Sequence, residues 1–384
     1  MAFEYLEPVN SELQDKVSTY PAHTLSKFIS FYDGEDDIDF EETQFAILCI
    51  KDSRNSKYEQ KSDDYYDKIR AGLYNMYVGN WELTILDLGD IDKGDEVSDT
   101  AFVLKTILSQ LYTKSVIPIV LGGSQDFTFY QYRAFDGIKY MVNLTTADHK
   151  FDLGNSDMPM HGQSYVGKMI IDEPYNLFNY CNLGYQTYLS PQDEIDLMDK
   201  LFFEALRLGE LKQQFTKAEP LLRDTDIFSI DMFSVKSSEI CDPNHINING
   251  FSTYDLCKLS RYAGMSDRLS SFGIYELQSL QASDSITHLI SQMLWYFFEG
   301  FSLRLNENVS DHNPSYTKYN VPIQEEVLVF IKSEISNRWW IKIPNLNNNE
   351  HKPSLLACDK QDYLEATASR LPDRWLKAKY KDSI

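Results

Sequence analysis

Three short segments of the sequence place acidic and amide side chains directly after apolar runs. They are Gly122-Gly123-Ser124-Gln125-Asp126, Asp148-His149-Lys150-Phe151-Asp152 and Ser229-Ile230-Asp231-Met232-Phe233. Each apolar run is typical of a buried strand, and open parallel sheets place their chemistry beyond the carboxyl ends of their strands. Carboxylates gathered there repel one another unless a cation lies among them. The segments therefore predict a charged site at the strand ends.

Apolar runs alternate with longer amphipathic stretches along most of the chain. Runs typical of strands cover 45–50, 83–88, 116–121, 140–144, 226–231 and 270–275. Segments typical of helices lie near 63–77, 98–113, 193–210, 253–264 and 284–299. Strand runs that are apolar on both faces indicate a sheet covered by helices on both sides. We therefore predict an α/β fold with a mostly parallel sheet.

The composition changes after residue 303. The segment 303–320 is polar and typical of a loop, 326–331 and 339–343 are typical of strands, and a final helix is predicted near 359–370. A hairpin and one helix are too small to form an independent core. We therefore predict a main domain over 1–302, with an N-terminal arm over 1–40, and an extension over 303–384 that packs on it.

The 384-residue chain has a formal net charge of -22. This charge argues against nucleic acid and anionic membrane surfaces as partners, because both are negative. The five cysteines include no CxxC pair, which argues against a zinc ribbon or redox motif. The first residues predict no signal peptide, and no apolar run approaches the roughly 20 residues of a membrane helix. The prediction is a soluble, cytoplasmic protein without membrane insertion.

The order of motifs along residues 40–300 resembles the ureohydrolase family, which includes arginase, agmatinase and formimidoylglutamase. The family patterns GGDHS, DAHxD and SxDxD correspond to the three segments above. The further matches are Ile69-Arg70, Asp87-Leu88-Gly89-Asp90, Met160-His161-Gly162-Gln163 and Gly273-Ile274-Tyr275-Glu276. The long aromatic C-terminal region most resembles a formimidoylglutamase-like branch. The resemblance implies a three-layer α/β/α fold, which the C-terminal hairpin and helix extend.

In active members of this family, four aspartates and two histidines hold two manganese ions, which together activate the attacking water. The resemblance aligns Asp148, Asp152 and Asp231 with three of the aspartates. The other three family ligands, two histidines and one aspartate, are replaced here by Gln125, Lys150 and Phe233.

The replacements affect the two ions unequally. The first ion's position keeps three carboxylates and an amide oxygen, a set that suits a hard cation such as manganese or magnesium. These ligands are Gln125, Asp148, Asp152 and Asp231. The second position contains Lys150, whose ammonium has no lone pair, and Phe233, which has no ligand atom. The resemblance therefore implies that the binuclear centre is lost, that no cofactor is needed, and that at most one divalent cation binds.

Lys150 has two interpretations. Its ammonium could lie near the second ion's position and partly neutralise the carboxylates, or it could extend into solvent. We favour the internal position because buried like charges need compensation. The neighbouring His149 should point to the opposite face if the strand continues without a bulge. We therefore expect His149 to be a core or hydrogen-bonding residue outside the pocket of Lys150.

His161 and Glu276 match positions that face the substrate in the family, so they are candidate vestigial catalytic residues. His161 lies in a polar His-Gly segment, and a loop histidine without contact to the pocket is an equal alternative. Glu276 could recognise a cationic guanidinium. A strand-end glutamate paired with a nearby arginine or lysine is an equally ordinary interpretation.

Tryptophan and arginine recur together in the C-terminal region. The residues are Arg338, Trp339, Trp340, Arg374 and Trp375. Stacked Arg–Trp pairs could form a surface for a protein partner. Packing of the extension onto the main domain is the more common explanation for such residues.

The leading functional prediction is a non-catalytic ureohydrolase homologue retained for binding. A protein partner, self-association, or a small guanidino or formimino ligand would each fit this role. The alternative is a hydrolase of linear C–N bonds that uses one divalent metal. A purely structural subunit of a larger assembly is the third class.

Overall fold

A computed structural model of the protein describes residues 2–34, 38, 40–58, 65–155, 158–240, 242, 245–280, 283–307, 309, 313–323, 325–344 and 354–381. No helix within these residues is both long and apolar enough to cross a bilayer.

Two sheets are present in the described residues. The strands of the first sheet are β1 (Leu6–Glu7), β2 (Ile29–Phe31), β3 (Phe45–Ile50), β4 (Ile85–Ile91), β5 (Ile117–Gly122), β6 (Val142–Ala147), β7 (Leu177–Tyr185), β8 (Glu204–Arg207), β9 (Ile227–Asp231) and β10 (Ser271–Tyr275). Their order is β1-β4-β3-β5-β10-β9-β6-β7-β8, with β2 also paired to β4. The strand pairs are parallel, apart from β1 with β4. The predicted mostly parallel sheet is therefore confirmed.

The α-helices connect these strands and continue beyond them. They are α1 (Ser11–Ser18), α2 (Tyr65–Tyr74), α3 (Val97–Thr113), α4 (Phe127–Arg133), α5 (Tyr165–Ile171), α6 (Gln192–Lys200), α7 (Leu208–Gln213), α8 (Ala218–Arg223), α9 (Ser237–Ile240), α10 (Thr253–Gly264), α11 (Asp284–Ser302), α12 (Lys360–Thr367) and α13 (Asp373–Lys381). Short 3₁₀ turns cover Ala2–Tyr5, Leu25–Phe28, Phe215–Lys217 and Met232–Ser234.

The first sheet is buried on both faces, as β3 illustrates. Phe45 and Ile47 belong to the apolar core on one face, together with residues of α2, α10 and α11. Ala46 and Leu48 belong to the core on the other face, with residues of α3, α4 and α5. Successive strand side chains point to opposite faces, so a strand between two helix layers must be apolar throughout. The predicted three-layer α/β/α architecture is confirmed.

Several helices begin at signals that the sequence carries. The Ser252 hydroxyl and the Asp255 carboxylate form a capping box at the start of α10. Asp359 and Asp362 form another at the start of α12, where the Asp359 N–H donates to Asp362 Oδ2 at 2.9 Å. A capping box satisfies N–H groups that a helix start otherwise leaves without partners.

The segment predicted as one helix over 193–210 has a different structure. It forms α6, then the edge strand β8, then α7. Phe202 has a φ of +53°, a conformation that ends a helix, and the next residues pair with β7. Strand β7 itself was not predicted. Residues 63–64 of the helix predicted over 63–77 lie outside the described residues, and α2 ends at Tyr74.

The second sheet replaces the predicted C-terminal hairpin. It is antiparallel, in the order β11 (Tyr316–Ile323), β12 (Glu326–Ser333), β13 (Trp339–Ile343) and β14 (Ser354–Cys358). The prediction of a loop over 303–320 was wrong at its end, because the polar residues at the start of β11 pair fully with β12. The Asn-rich tract over 345–349 lies outside the described residues.

Arginine and lysine side chains attach the extension to the main body. Arg223 Nη1 donates to the Trp339 carbonyl at 3.1 Å. Arg374 contacts Glu204 Oε1 of β8 at 2.9 Å through Nε and Asp224 Oδ2 at 2.8 Å through Nη2. Lys377 Nζ donates to the carbonyl of Phe203 at 3.0 Å, so α13 lies beside the edge strand β8. The extension packs on the main body, and the division at residue 303 stays a prediction.

The C-terminal tryptophans are core residues. Trp339, Trp340 and Trp375 are 7%, 8% and 2% exposed. The cation over the Trp340 ring is the Arg223 guanidinium at 4.7 Å, not Arg338 or Arg374 as the sequence suggested. The packing interpretation is therefore correct for these tryptophans, because side chains this buried offer little surface to a partner.

A buried ion pair joins two of the motifs that the sequence singled out. Arg70 of α2 contacts Asp87 Oδ2 of β4 at 2.8 Å through Nε, and Asp90 Oδ1 at 2.8 Å through Nη2. Asp87 also accepts from the Tyr74 hydroxyl at 2.5 Å and from the Gly89 N–H at 3.0 Å. Arg70 and Asp87 are almost fully buried. These motifs therefore hold α2 against the sheet.

Candidate metal site at the strand ends

The carboxyl ends of four adjacent central strands carry the predicted site residues. In sheet order these strands are β5, β10, β9 and β6. Gln125 follows β5, Glu276 follows β10, Asp231 ends β9 and Asp148 follows β6. Parallel strands end at the same edge of a sheet, so side chains distant in sequence meet there.

Asp148, His149 and Asp231 form the centre of the site. Each offers one potential ligand atom, and these atoms all lie within 4.8 Å of one another. His149 Nδ1 lies 3.1 Å from Asp148 Oδ1. All three residues are buried. Three ligand atoms this close together could coordinate a single cation.

The expected direction of His149 was wrong. Strand β6 ends at Ala147, so the alternation of strand side chains no longer applies at Asp148 and His149. The chain bends at this point, where the Lys150 N–H donates to Asp148 Oδ1 at 3.1 Å. His149 consequently lies beside Asp148 and faces the acidic cluster.

Asp152 adds a third carboxylate to the cluster. It has a φ of +54°, and its carboxyl group lies close enough to Asp148 for the two to interact. Burial and the negative charge of Asp148 raise the pKa of Asp152 well above its ordinary value, and burial and Asp148 do the same for Asp231. Burial also opposes ionisation of Asp148, but contact with His149 lowers its pKa overall. Burial and mutual repulsion thus disfavour the simultaneous ionisation of all three carboxyl groups.

Four buried atoms of the cluster lack a hydrogen-bond partner within the described residues. They are Gln125 Oε1, Asp148 Oδ2, His149 Nδ1 and Asp152 Oδ2. Buried polar atoms in folded proteins almost always have partners, so a group of partnerless ligand atoms requires an explanation. These atoms have the chemistry of metal ligands, and the residues present fit one divalent cation.

A hydrogen bond from the amide nitrogen of Gln125 fixes the orientation of its side chain. Nε2 donates to Ser229 Oγ at 2.9 Å, which leaves Oε1 as the partnerless end of the amide. The backbone N–H of Gln125 donates to Glu276 Oε1 at 2.9 Å. Ser229 thus fixes the side chain and Glu276 the backbone of Gln125, and the amide oxygen is the atom that could bind a metal.

Lys150 does not form the predicted internal ion pair. Among the described residues, no carboxylate oxygen lies within 4.0 Å of its ammonium. The side chain is half-buried, and its charge lowers the pKa of Asp152 and of Asp231, although less than burial and Asp148 raise them. Lys150 therefore acts on the cluster through its charge, without a direct ion pair.

Phe233 is covered by an aromatic ring that the sequence analysis missed. Tyr58 lies on it with ring centroids 3.4 Å apart and planes 4° from parallel. The His245 ring meets Phe233 edge-on at 5.1 Å. Tyr58 follows β3 in a loop, and its only sequence signal was its place after a strand end.

Glu276 is enclosed by polar groups of its own chain. It accepts from Ser56 Oγ at 2.5 Å, Ser279 Oγ at 3.2 Å and the Gln125 N–H. Burial raises the pKa of Glu276 to about 7, although these hydrogen bonds lower it. Among the described residues, no arginine or lysine nitrogen lies within 4.0 Å of its carboxylate, so the predicted alternative of such a pair finds no support in them.

The His-Gly segment lies against Glu276. A Cβ on Gly162 would meet Glu276 Oε1 at 2.9 Å, so glycine is required for this approach. His161 Nδ1 accepts from the Gln163 N–H at 3.1 Å, within its own loop. Burial and the charge of Lys57 lower the pKa of His161. The structure brings His161 near the site but gives its ring a local partner.

Comparison with known proteins supports the fold. No protein-family model matches the chain, and no curated protein matches it in sequence. Similar solved structures include Trypanosoma cruzi formiminoglutamase with Mn²⁺, which has 16% identity, a TM-score of 0.63, and covers 70% of this chain and 97% of that one. For Bacillus subtilis formimidoylglutamase the identity is 17%, the TM-score 0.63 and the coverage 76% and 99%. Agmatine ureohydrolase of Thermoplasma volcanium has 18% identity and a TM-score of 0.58, and the match covers 77% of this chain and 97% of that one. This chain has the arginase fold.

The likeness to arginase-fold structures spans most of the chain. The similar proteins are matched over nearly their whole length, whereas 70–77% of this chain is matched. The ureohydrolase resemblance inferred from the motifs is thereby confirmed at the level of fold. Identities of 16–18% carry no assignment of activity, because one fold supports many functions.

Proposed function

We propose that this chain binds one divalent cation at the strand ends of its arginase fold and does not perform two-metal hydrolysis. The observation that carries the proposal is the pair of buried carboxylates Asp148 and Asp231, whose ligand atoms lie within 4.8 Å of each other, beside the partnerless buried oxygens of Asp148 and Asp152. Bound there, a divalent cation would offset the mutual repulsion of the carboxylates, which otherwise favours their protonation.

The residues at the second family position support the loss of the binuclear centre. Phe233 has no ligand atom, and the Tyr58 ring lies against it at 3.4 Å. Lys150 offers an ammonium, which cannot coordinate a metal. Hydrolysis by two metals needs both ions to activate and orient a water molecule. A non-catalytic role in binding a small ligand, a protein partner or a second copy of the chain follows from this reasoning.

A hydrolase with one metal is the second candidate. It would act on a linear C–N bond of a guanidino or formimino compound, the substrate class suggested by the names of the similar proteins. The buried Glu276 beside Gln125 favours this candidate, because a carboxylate near a metal site could hold a cationic group. The hydrogen bonds that the Ser56 and Ser279 hydroxyls donate to Oε2 of the Glu276 carboxylate argue against this candidate, because they already satisfy that oxygen.

Metal analysis combined with an activity assay distinguishes the non-catalytic single-cation protein from the one-metal hydrolase. Protein dialysed against manganese should contain one ion per chain, and Asp231→Asn should contain none. Arginine, agmatine and formiminoglutamate should release no urea, ammonia or formamide in its presence. Two ions per chain would overturn the proposal, as would no ion at all. One ion with product release would select the one-metal hydrolase.

A further inference from the structure

The backbone after β6 is held in a bend that directs His149 into the acidic cluster. The Asp148 N–H donates to the Leu183 carbonyl at 3.0 Å, and the Gln186 N–H donates to the His149 carbonyl at 3.1 Å. Asn182 Nδ2 donates to the Lys150 carbonyl at 2.6 Å. These bonds attach the bend to β7 and the residues after it, so the position of His149 is built into the sheet.

The imidazole contact with Asp148 is unlike an ordinary hydrogen bond. His149 Nδ1 lies 3.1 Å from Asp148 Oδ1, yet the contact lies outside hydrogen-bonding geometry and Nδ1 has no partner. His149 is only 8% exposed, so water does not readily replace that partner. Two ligand atoms that share one ion at about 2.1 Å and meet at right angles are themselves about 3 Å apart. The observed spacing fits two ligands of one cation.

We propose that His149 is a ligand of the single cation, together with Asp148 and Asp231. The inference rests on the proposed function and adds the identity of the ligands. The family pattern has its histidine one position later, where this chain has Lys150, so the imidazole has shifted by one residue and the bend after Ala147 brings it to the metal.

A nitrogen ligand changes which cation the site prefers. An all-oxygen set suits magnesium, whereas imidazole favours transition metals such as manganese, cobalt and zinc. Of the two ions expected from the sequence, manganese and magnesium, this ligand set favours manganese. The site should bind Co²⁺ and Zn²⁺ more tightly than Mg²⁺, following the general order of affinity for nitrogen-containing sites.

Two measurements on the intact chain test this assignment without any activity assay. The first is calorimetric titration with Co²⁺ of the wild type, His149→Ala and the control His288→Ala, whose histidine lies exposed on α11. Loss of a direct ligand should weaken binding at least about 10- to 100-fold, and the control should match the wild type. The second is pulsed electron paramagnetic resonance of the Mn²⁺-loaded wild type, where an imidazole nitrogen should couple to the manganese.

The outcomes distinguish the two proposals. One ion per chain with unchanged affinity in His149→Ala would overturn the histidine ligand and leave the single-cation site standing. No ion in the wild type would overturn the proposed function and this inference with it. If His149→Ala does not fold, the nitrogen coupling in the wild type decides, and a manganese signal without it would overturn the assignment.

Discussion

The Tyr58 ring lies flat against the Phe233 ring, with centroids 3.4 Å apart and planes 4° from parallel. Burial raises the pKa of Tyr58, and the nearby charges of Asp231 and Asp148 raise it further. An aromatic pair therefore stands next to the acidic cluster. The ureohydrolase resemblance implies a carboxylate at the position of Phe233, so under the proposed function this stack would obstruct a second ion.

We expect Phe233→Asp to destabilise the protein in the absence of metal. The change removes the ring under Tyr58 and adds a buried carboxylate near Asp231, and a buried unpaired charge costs about 3–5 kcal/mol. Manganese should recover part of this loss. Thermal unfolding with and without Mn²⁺ measures both effects, and Phe233→Leu, which keeps an apolar side chain, should gain no more from Mn²⁺ than the wild type does. Equal responses of the two variants would contradict this account.

Restoring all the family ligands should create a second metal position. The triple variant Gln125→His, Lys150→His, Phe233→Asp should bind one manganese ion more per chain than the wild type. The reason is that Lys150 and Phe233 offer no lone pair to a metal, and the changes put an imidazole and a carboxylate in their place, while Gln125→His replaces an amide by an imidazole. Plasma emission analysis after dialysis gives the stoichiometry, and an unchanged value would argue that these positions do not converge.

Gly162→Ala should disturb the site through one contact. The new Cβ would meet Glu276 Oε1 at 2.9 Å and the Gln125 nitrogen at 3.5 Å. Displacing the buried Glu276 carboxylate from its donors should cost about 1–3 kcal/mol of unfolding free energy. Gly209→Ala is the control, because nothing lies within 4 Å of a Cβ there and alanine suits its helix α7. Urea denaturation of both variants tests the difference, and equal effects would contradict it.

The buried pair of Arg70 and Asp87 should be essential to stability. Arg70→Met leaves Asp87 buried with a lost ionic partner, which costs about 3–5 kcal/mol. Adding Asp87→Asn to that variant should recover part of the loss, since the unpaired charge disappears. Arg261→Met removes an ion pair with Glu299 whose partners are 37% and 29% exposed, and should cost less than about 1 kcal/mol. Chemical denaturation would contradict the prediction if the two arginine variants were equally stable.

Asp362 should make the stability of the extension depend on pH. Burial raises its pKa from an ordinary 3.8 to about 6. A carboxyl group whose pKa is higher in the folded state stabilises the fold fully below its unfolded pKa, and this contribution is lost as the pH rises through the folded value. Relative to Asp362→Asn, the wild type should therefore lose about 1 kcal/mol between pH values of about 5 and 7.5. A difference that stays constant or grows would contradict the shift.

Much of the sheet could be predicted from the sequence because its central strands are apolar on both faces. Strands β3, β5, β9 and β10 lie within one residue of the predicted runs. Strand β8 has only four residues at the sheet edge, and pairing with β7 decides its structure rather than its own pattern. The start of β11 is polar and therefore has the pattern of a loop. Its strand structure depends on pairing with β12, which the local pattern does not show.

The acidic part of the site was predictable for a different reason. Asp148 and Asp231 stand at the ends of apolar runs, and neighbouring parallel strands bring such ends together. The direction of His149 depends on where β6 stops, which alternation alone does not reveal. The contact of Tyr58 with Phe233 joins a loop to a 3₁₀ turn far away in the chain, and no local pattern encodes it.

The position of α13 beside β8 restricts how copies of this protein can associate. An uncovered edge strand offers unpaired N–H and C=O groups to a strand of another molecule. Here Arg374 and Lys377 fasten a helix next to that border of the large sheet. Continuous β-pairing from one subunit to the next is obstructed along this side, so a homo-oligomer would have to assemble through another surface of the protein.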